Sequence, residues 1–147
     1  MENLLFLKLG GSLITDKTSP RTVRQEVLDR LCAEIATVRA RDPNLLLLLG
    51  HGSGSFGHVA AKKYTTREGL PLTPPPQPPP KVRRNQFSSR GELEGKYWHG
   101  FTEVWHEAAA LNKVVMDALR EAGVTAMAMP PSASVIARAG KVISWDL

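Results

Sequence analysis

With 147 residues, the chain has the length of one ordinary domain and is too short for two. Its composition, 42% hydrophobic and 22% charged, is that of a soluble globular protein and excludes disorder throughout. The net charge of +5 permits a nucleic-acid partner without demanding one, and suits small anionic ligands equally well, so none is expected.

The longest apolar run, Leu45 to Leu49, is far below the roughly 20 residues that span a bilayer, so no membrane partner is expected. The amino terminus carries no basic flank, long apolar region or small-residue cleavage site, which argues against a secretory signal. Cys32 is the single cysteine, so neither an intrachain disulfide nor a multi-thiolate metal site can form. A cytoplasmic location fits these features.

Residues Leu4 to Leu9 form an apolar run closed by Gly10-Gly11, the pattern of a buried, parallel strand. Thr22 and Gln25 have capping-box spacing, and Val27, Leu31, Ile35 and Val38 recur at helical intervals before Pro43. Leu45 to Leu49 repeats the buried-strand pattern and ends at Gly50. Strand, helix and strand make a βαβ unit with a right-handed crossover. The glycine-rich HGSGSFGH then leads into a helix predicted from about Ser55 to Tyr64.

Seven of the eleven prolines fall between Pro71 and Pro80, and no packed helix or strand tolerates such a stretch. Pro71 to about Lys96 therefore reads as an exposed insertion, partly polyproline. Order is expected to resume at Gly100. From there Phe101, Val104, Trp105, Ala108, Leu111, Val115 and Leu119 keep helical spacing, with Gly123 placed to stop the helix. Val124 to Met129 reads as a third strand. Pro130-Pro131-Ser132 opens a turn and a short helix to Arg138, Gly140 turns the chain, and Lys141 to Trp145 is a fourth strand. The sum is an α/β domain whose helices cover a mainly parallel sheet.

Two glycine turns carry the chemistry: Lys8 to Ser12 (KLGGS) and His51 to His58 (HGSGSFGH). Each follows a predicted strand, and ligands of parallel sheets bind at the carboxyl ends of the strands. Glycine lets the backbone approach an anion closely, and the helix after the second turn adds its positive end. The second turn lacks the Gly-Lys-Ser/Thr that the Walker pattern needs after four spacers and makes no convincing dinucleotide fingerprint, and Gly52-Ser53-Gly54-Ser55-Phe56 breaks the G-x-S-x-G frame of a nucleophile elbow. Lys8, Lys17 and His58 supply two point charges and a hydrogen-bond donor around these turns. That inventory suits phosphoryl transfer, where positioning and charge neutralisation dominate.

The segments LKLGGSLITDK, HGSGSFGHVAAKKY, GFTEVWHEAAALN and PPSASVIARAGKVI resemble, in this order, successive segments of the isopentenyl phosphate kinases, a branch of the amino-acid-kinase superfamily. The resemblance implies a three-layer αβα sandwich, of which residues 1–147 are the amino-terminal lobe, interrupted by the insertion at about 71–96. It implies ATP-dependent phosphorylation of isopentenyl phosphate for isoprenoid precursor synthesis in the mevalonate pathway, with Mg2+ held mainly through phosphates. Lys8 and the amides of Gly10, Gly11 and Ser12 would contact the ATP phosphates, with Gly54 beside them.

On the same resemblance, Lys17 would stabilise the transferring group, Ser53 would face the substrate and His58 would bind its phosphate. No protein metal ligand is implied, and the full-length family pairs as homodimers. The carboxyl-terminal nucleotide-binding half of the family lies outside these 147 residues, so weak ATP binding and little turnover are expected of this polypeptide alone. The fosfomycin-type phosphonate kinases share the terminal histidine of HGSGSFGH and are one alternative. A non-catalytic kinase half that binds a partner through its proline-rich segment is the other.

Overall fold

The computed structural model describes residues 4–69, 90–138 and 141–145. Two strands, β1 (Leu4–Leu9) and β2 (Leu46–His51), pair in parallel with Lys8 opposite Gly50 and Leu9 opposite His51. Between them run a short helix α1 (Gly11–Ile14) and the amphipathic α2 (Gln25–Arg41). Because the strands are parallel, both carboxyl ends, and the glycine turns that follow them, lie at one edge.

Beyond β2 come α3 (Gly54–Tyr64) and the long α4 (Arg90–Glu121). A 3₁₀ turn at Pro131–Ala133 then leads into an antiparallel hairpin of β3 (Val135–Arg138) and β4 (Lys141–Trp145), with a bulge between Ile136 and Ala137. The chain is thus α/β with a parallel strand pair at its centre.

The core forms where α2 and α4 meet beneath the end of β1. Leu28, Cys32 and Ile35 of α2 interlock with Leu111, Val115, Ala118 and Leu119 of α4, and Leu9, Ile14 and Phe56 complete the cluster. Burial pushes the Cys32 thiol above its ordinary pKa, with the nearby Asp29 charge adding to the effect. Strand alternation sends successive side chains to opposite faces. Leu5, Leu7 and Leu9 face Leu31, Ile35 and Val38 of α2, whereas Phe6 and Leu48 border α4 and the 128–132 segment. The strand pair therefore has a helix against each face.

Several expectations need correction. The segment predicted as a loop up to Lys96 is helical from Arg90, because the prolines end at Pro80 and Leu93, Tyr97 and Val104 extend the half-buried stripe of α4. The rest of the proposed insertion, 70–89, and the turn at Gly140 lie outside the described residues. Thr22 does not cap α2; its hydroxyl donates to Pro20 O at 3.1 Å, and the helix starts at Gln25 behind Arg24.

Val124 to Met129 joins no strand among the described residues, and Met127 is 86% exposed, so its strand-like composition finds no hydrogen-bonding neighbour. The short helix predicted to reach Arg138 stops at Ala133, where the β-branched pair Val135-Ile136 favours pairing with β4. The outer end of β1 is also more open than a buried strand, with Leu4 66% and Phe6 62% exposed.

Gly123 does end α4. It takes φ +79, and the amides of Gly123 and Val124 close back on Arg120 O and Leu119 O at 3.0 and 2.9 Å, a Schellman motif. Among the described residues no helix is long and apolar enough to cross a membrane.

Leu111 is fully buried at the α2–α4 contact, so Leu111→Ala is expected to lower unfolding free energy by about 2–5 kcal/mol. Urea denaturation monitored by circular dichroism measures this; a loss below about 1 kcal/mol would contradict the packing described.

Candidate functional site

The two glycine turns are in direct backbone contact. A Cβ added at Gly11 would lie 2.6 Å from Gly54 N and 2.8 Å from Gly54 Cα, and one at Gly52 would lie 3.2 Å from Gly11 N. Gly54 itself takes φ +52, a left-handed conformation that a side chain resists, and the space beside it is filled by Thr15. Gly52 N donates to Leu9 O at 3.2 Å, continuing the strand ladder into the turn.

Thr15, fully buried, stitches the turns together. Its hydroxyl donates to Gly11 O at 2.6 Å and accepts from Ser55 N at 2.9 Å. α1 holds the first turn in shape, with Leu13 N bonded to Gly10 O and Thr15 N to Gly11 O. Glycine has weak helix propensity, so a helix beginning at Gly11 is not visible in the sequence pattern. Ser53 lies between Gly52 and Gly54, with its Oγ against Gly57.

The three candidate polar side chains stand on the elements that leave this contact. Lys8 is exposed on β1, just before Gly10 and opposite Gly50. His58 is exposed on α3, past the turn at Gly54. Lys17 is exposed in the loop between α1 and α2, inside a turn in which Asp16 Oδ1 accepts from Thr18 N at 2.8 Å and Thr18 Oγ1 at 2.7 Å. Those bonds, backbone first, hold the Asp16 carboxyl below its ordinary pKa. Ser12 is exposed on α1 and Gly10 precedes it. The structure thus brings Gly11 against Gly52 and Gly54, with Gly10, Ser12 and Ser53 as their chain neighbours, while Lys8, Lys17 and His58 are exposed on β1, in the loop after α1 and on α3.

Reading the sequence missed four residues that build this region: Thr15, Ser55, and the ion pair of Arg21 with Glu107 at 3.1 Å. Arg21 takes φ +54, a strain of roughly 1–2 kcal/mol for a non-glycine residue. No spacing rule marks a long-range pair of this kind. Also missed is the link between His51 and Asn112, whose Nε2 and Oδ1 lie 3.0 Å apart.

That link lies in the wall of an open cavity of about 510 Å³ bordered by Phe6, Leu48, Trp105, Met129 and Trp145. Trp105 of α4 and Ser132 of the 3₁₀ turn both line this cavity, and Trp105 Nε1 donates to Ser132 Oγ at 3.2 Å. Trp145 Nε1 donates to Ser134 Oγ at 2.9 Å and fixes the hairpin alongside.

The isopentenyl phosphate kinase of Methanothermobacter thermautotrophicus is 33% identical over 145 residues, which is 98% of this chain and 46% of that protein. The isopentenyl phosphate kinase of Thermoplasma acidophilum is 29% identical over 130 residues, 88% of this chain and 42% of that protein. Among solved structures, one of isopentenyl phosphate kinase superposes with a TM-score of 0.74 at 29% identity, covering 98% of this chain and 50% of the other. The product complex of the T. acidophilum enzyme superposes at 0.64 and 25% identity, covering 95% and 47%.

The chain spans about half the length of the curated relatives it matches. The sequence model described as the amino acid kinase family matches residues 3–146, a span that takes in both glycine turns and the helices packed on them: the chain belongs to the amino acid kinase family.

Proposed function

We propose that the chain is the amino-terminal lobe of an ATP-dependent kinase that phosphorylates isopentenyl phosphate to isopentenyl diphosphate. The observation that carries this reading is the backbone contact of Gly11 with Gly54 at the ends of two parallel strands. Side chains at Gly11 or Gly54 would drive the two turns apart, and turns held this close at the carboxyl ends of parallel strands are suited to binding an anion between them. The similarity to isopentenyl phosphate kinases over nearly the whole chain supports the same conclusion.

In this reading Lys8 and the amides of Gly10, Gly11 and Ser12 hold the nucleotide phosphates, with Gly54 facing the bridging region. Ser53 contributes a backbone donor toward the substrate. His58 donates a hydrogen bond to the substrate's phosphate and orients the attacking oxygen. A phosphate monoester has a second pKa near about 6, so its oxygen is already anionic at neutral pH and needs no catalytic carboxylate. Lys17 neutralises charge that develops on the transferring group. ATP supplies that group, and magnesium is held chiefly by phosphates and water, in keeping with a donor set of amides, lysines and a histidine.

The apolar tail of the substrate lies in the 510 Å³ cavity, whose wall begins at Gly50 and His51 beside the second turn. A small phosphonate would leave this space unfilled, which favours the isoprenoid substrate over a fosfomycin-type one. On the same reading the protein works in the cytoplasm in isoprenoid precursor synthesis by the mevalonate route, and its full-length form pairs as a homodimer. The proline-rich stretch is an insertion in the lobe.

Titration calorimetry tests the substrate assignment directly. Isopentenyl phosphate is expected to bind at least tenfold more tightly than fosfomycin, a difference of about 1.4 kcal/mol. His58→Ala is expected to weaken isopentenyl phosphate by tenfold or more, while Lys17→Ala leaves its affinity within about twofold. Equal affinity for the two ligands, or indifference to His58→Ala, would sink the assignment.

A second measurement concerns the turns themselves. Gly54→Ala forces a side chain against Thr15 at positive φ, and is expected to abolish detectable phosphate-ligand binding while α2 and α4 stay folded by circular dichroism. Retained binding would refute the cradle. In coupled ADP-release assays this polypeptide alone is expected to turn over slowly or not at all, and robust turnover would overturn that expectation.

A further inference from the structure

The loop that carries Lys17 is built as a closed strap. Its stem is an isolated antiparallel bridge between Thr15 and Val23, reinforced by Asp16 N to Thr22 O and Arg24 N to Ile14 O, both 2.9 Å. The Asp16–Thr18 turn shapes the limb holding Lys17. The opposite limb carries Arg21, and this residue reaches sideways to two helices at once. Its Nη1 pairs with Glu107 Oε1 of α4 at 3.1 Å, and its guanidinium lies 5.9 Å from the ring centroid of Phe56 in α3. Thr22 adds two weaker ties to Ser55: Thr22 N donates to Ser55 Oγ at 3.3 Å, and Ser55 Oγ lies 3.5 Å from Thr22 O.

The two ends of the ion pair differ in setting. The Arg21 side chain is 57% exposed, whereas that of Glu107 is only 15% exposed, and Glu107 Oε2 is buried with no hydrogen-bond partner among the described residues. A carboxylate in that position depends strongly on its counter-charge, so the pair has an inward anchor and an outward arm. The planar fork of arginine can hold the carboxylate and cover an aromatic ring together, which lysine does less well. Arg21 does so from a left-handed backbone conformation, so the local chain bends to make these contacts. Ser55 and Phe56 directly follow Gly54, so the strap fastens the Lys17 loop to the helix that leaves the second glycine turn.

We propose that Arg21 and Glu107 are positioning residues that fix the reach of Lys17 toward the paired glycine turns. The proposal rests on the reading of those turns as a phosphate cradle. Neither residue touches a substrate in it; both act through the loop. A charge held on a tethered loop contributes to transfer only within a narrow range of distance, and a displacement of about 1 Å can cost a hundredfold in rate. With the pair broken, the tip is left on the Thr22–Ser55 bonds and on the stem.

The test uses the full 147-residue chain and does not require turnover. Hydrogen–deuterium exchange of the 15–24 segment is compared in the unsubstituted chain, Arg21→Gln, Glu107→Gln and the reversed pair Arg21→Glu with Glu107→Arg. Exchange is expected to rise about tenfold in each single variant, to recover in the reversed pair, and to stay unchanged in α2. Should a single variant fail to fold, Arg21→Lys, which keeps the charge but loses the fork, is expected to show an intermediate rise.

A spectroscopic signature then separates positioning from general support. In chain labelled with ¹³C-lysine, inorganic pyrophosphate is expected to shift the Lys8 and Lys17 side-chain signals. In Arg21→Gln the Lys17 response is expected to fall at least threefold while that of Lys8 persists. Unchanged exchange in the folded single variants, or equal loss of both lysine responses, overturns the proposal. If neither lysine responds in the unsubstituted chain, the cradle reading is what fails, and the exchange data still decide whether the strap exists.

Discussion

Two backbones meeting without side chains between them is the constraint on which this lobe depends. Gly11 and Gly54 approach so closely that a single methyl group at Gly11 would fall within 2.6 Å of a backbone nitrogen. Such contact brings polar main-chain groups out of water, and each of them needs a partner. Thr15 supplies it: one buried hydroxyl serves Gly11 O on one side and Ser55 N on the other. Valine would have the same shape and neither bond, and would leave the Ser55 amide without its partner at a cost of roughly 1–3 kcal/mol. The cradle is therefore specified as much by a threonine outside both glycine motifs as by the glycines.

The rest of the fold positions this contact rather than adding to it. Parallel pairing of β1 with β2 puts the turns side by side, and the core between α2 and α4 supports β1 just beneath Leu9. α3 begins at Gly54, so the orientation of the second turn is inherited by the helix that carries His58. Tyr64, at the far end of α3, packs edge-on against His99 of α4 with ring centroids 5.2 Å apart, which ties that helix to the longest element at both ends.

Physical locality decides what could be read from the sequence. The stop of β1 at Leu9-Gly10 was visible because an apolar run and its glycine stop are neighbours in the chain, whereas β2 starts at Leu46 and runs through Gly50 to His51, since Gly50 pairs with Lys8 instead of ending the strand. The end of α4 at Gly123 was visible for the same reason. Its start was not, since the proline-rich texture was carried on to Lys96, past the last proline of the stretch, into residues that are helical. The strand predicted at Val124 to Met129 shows the opposite error: among the described residues this segment has no strand edge to pair with, and side-chain preference alone does not make a strand. Thr15, Ser55, Arg21 and Glu107 left no trace in any local pattern, because their partners lie far along the chain and only the tertiary contact selects them.

His51 links the second glycine turn to the cavity wall. Its backbone ends β2 opposite Leu9, and its Nδ1 lies 3.2 Å from Gly52 O, within the second turn. Its Nε2 shares a hydrogen bond with Asn112, which stands on α4 in the wall of the 510 Å³ cavity. One imidazole thus spans from the turn to the helix that shapes the cavity. A shift of α4 would pull on this bond and so on the turn at Gly52. Packed elements respond to such strain in steps rather than continuously. The cavity wall and the second glycine turn are therefore joined through a single side chain.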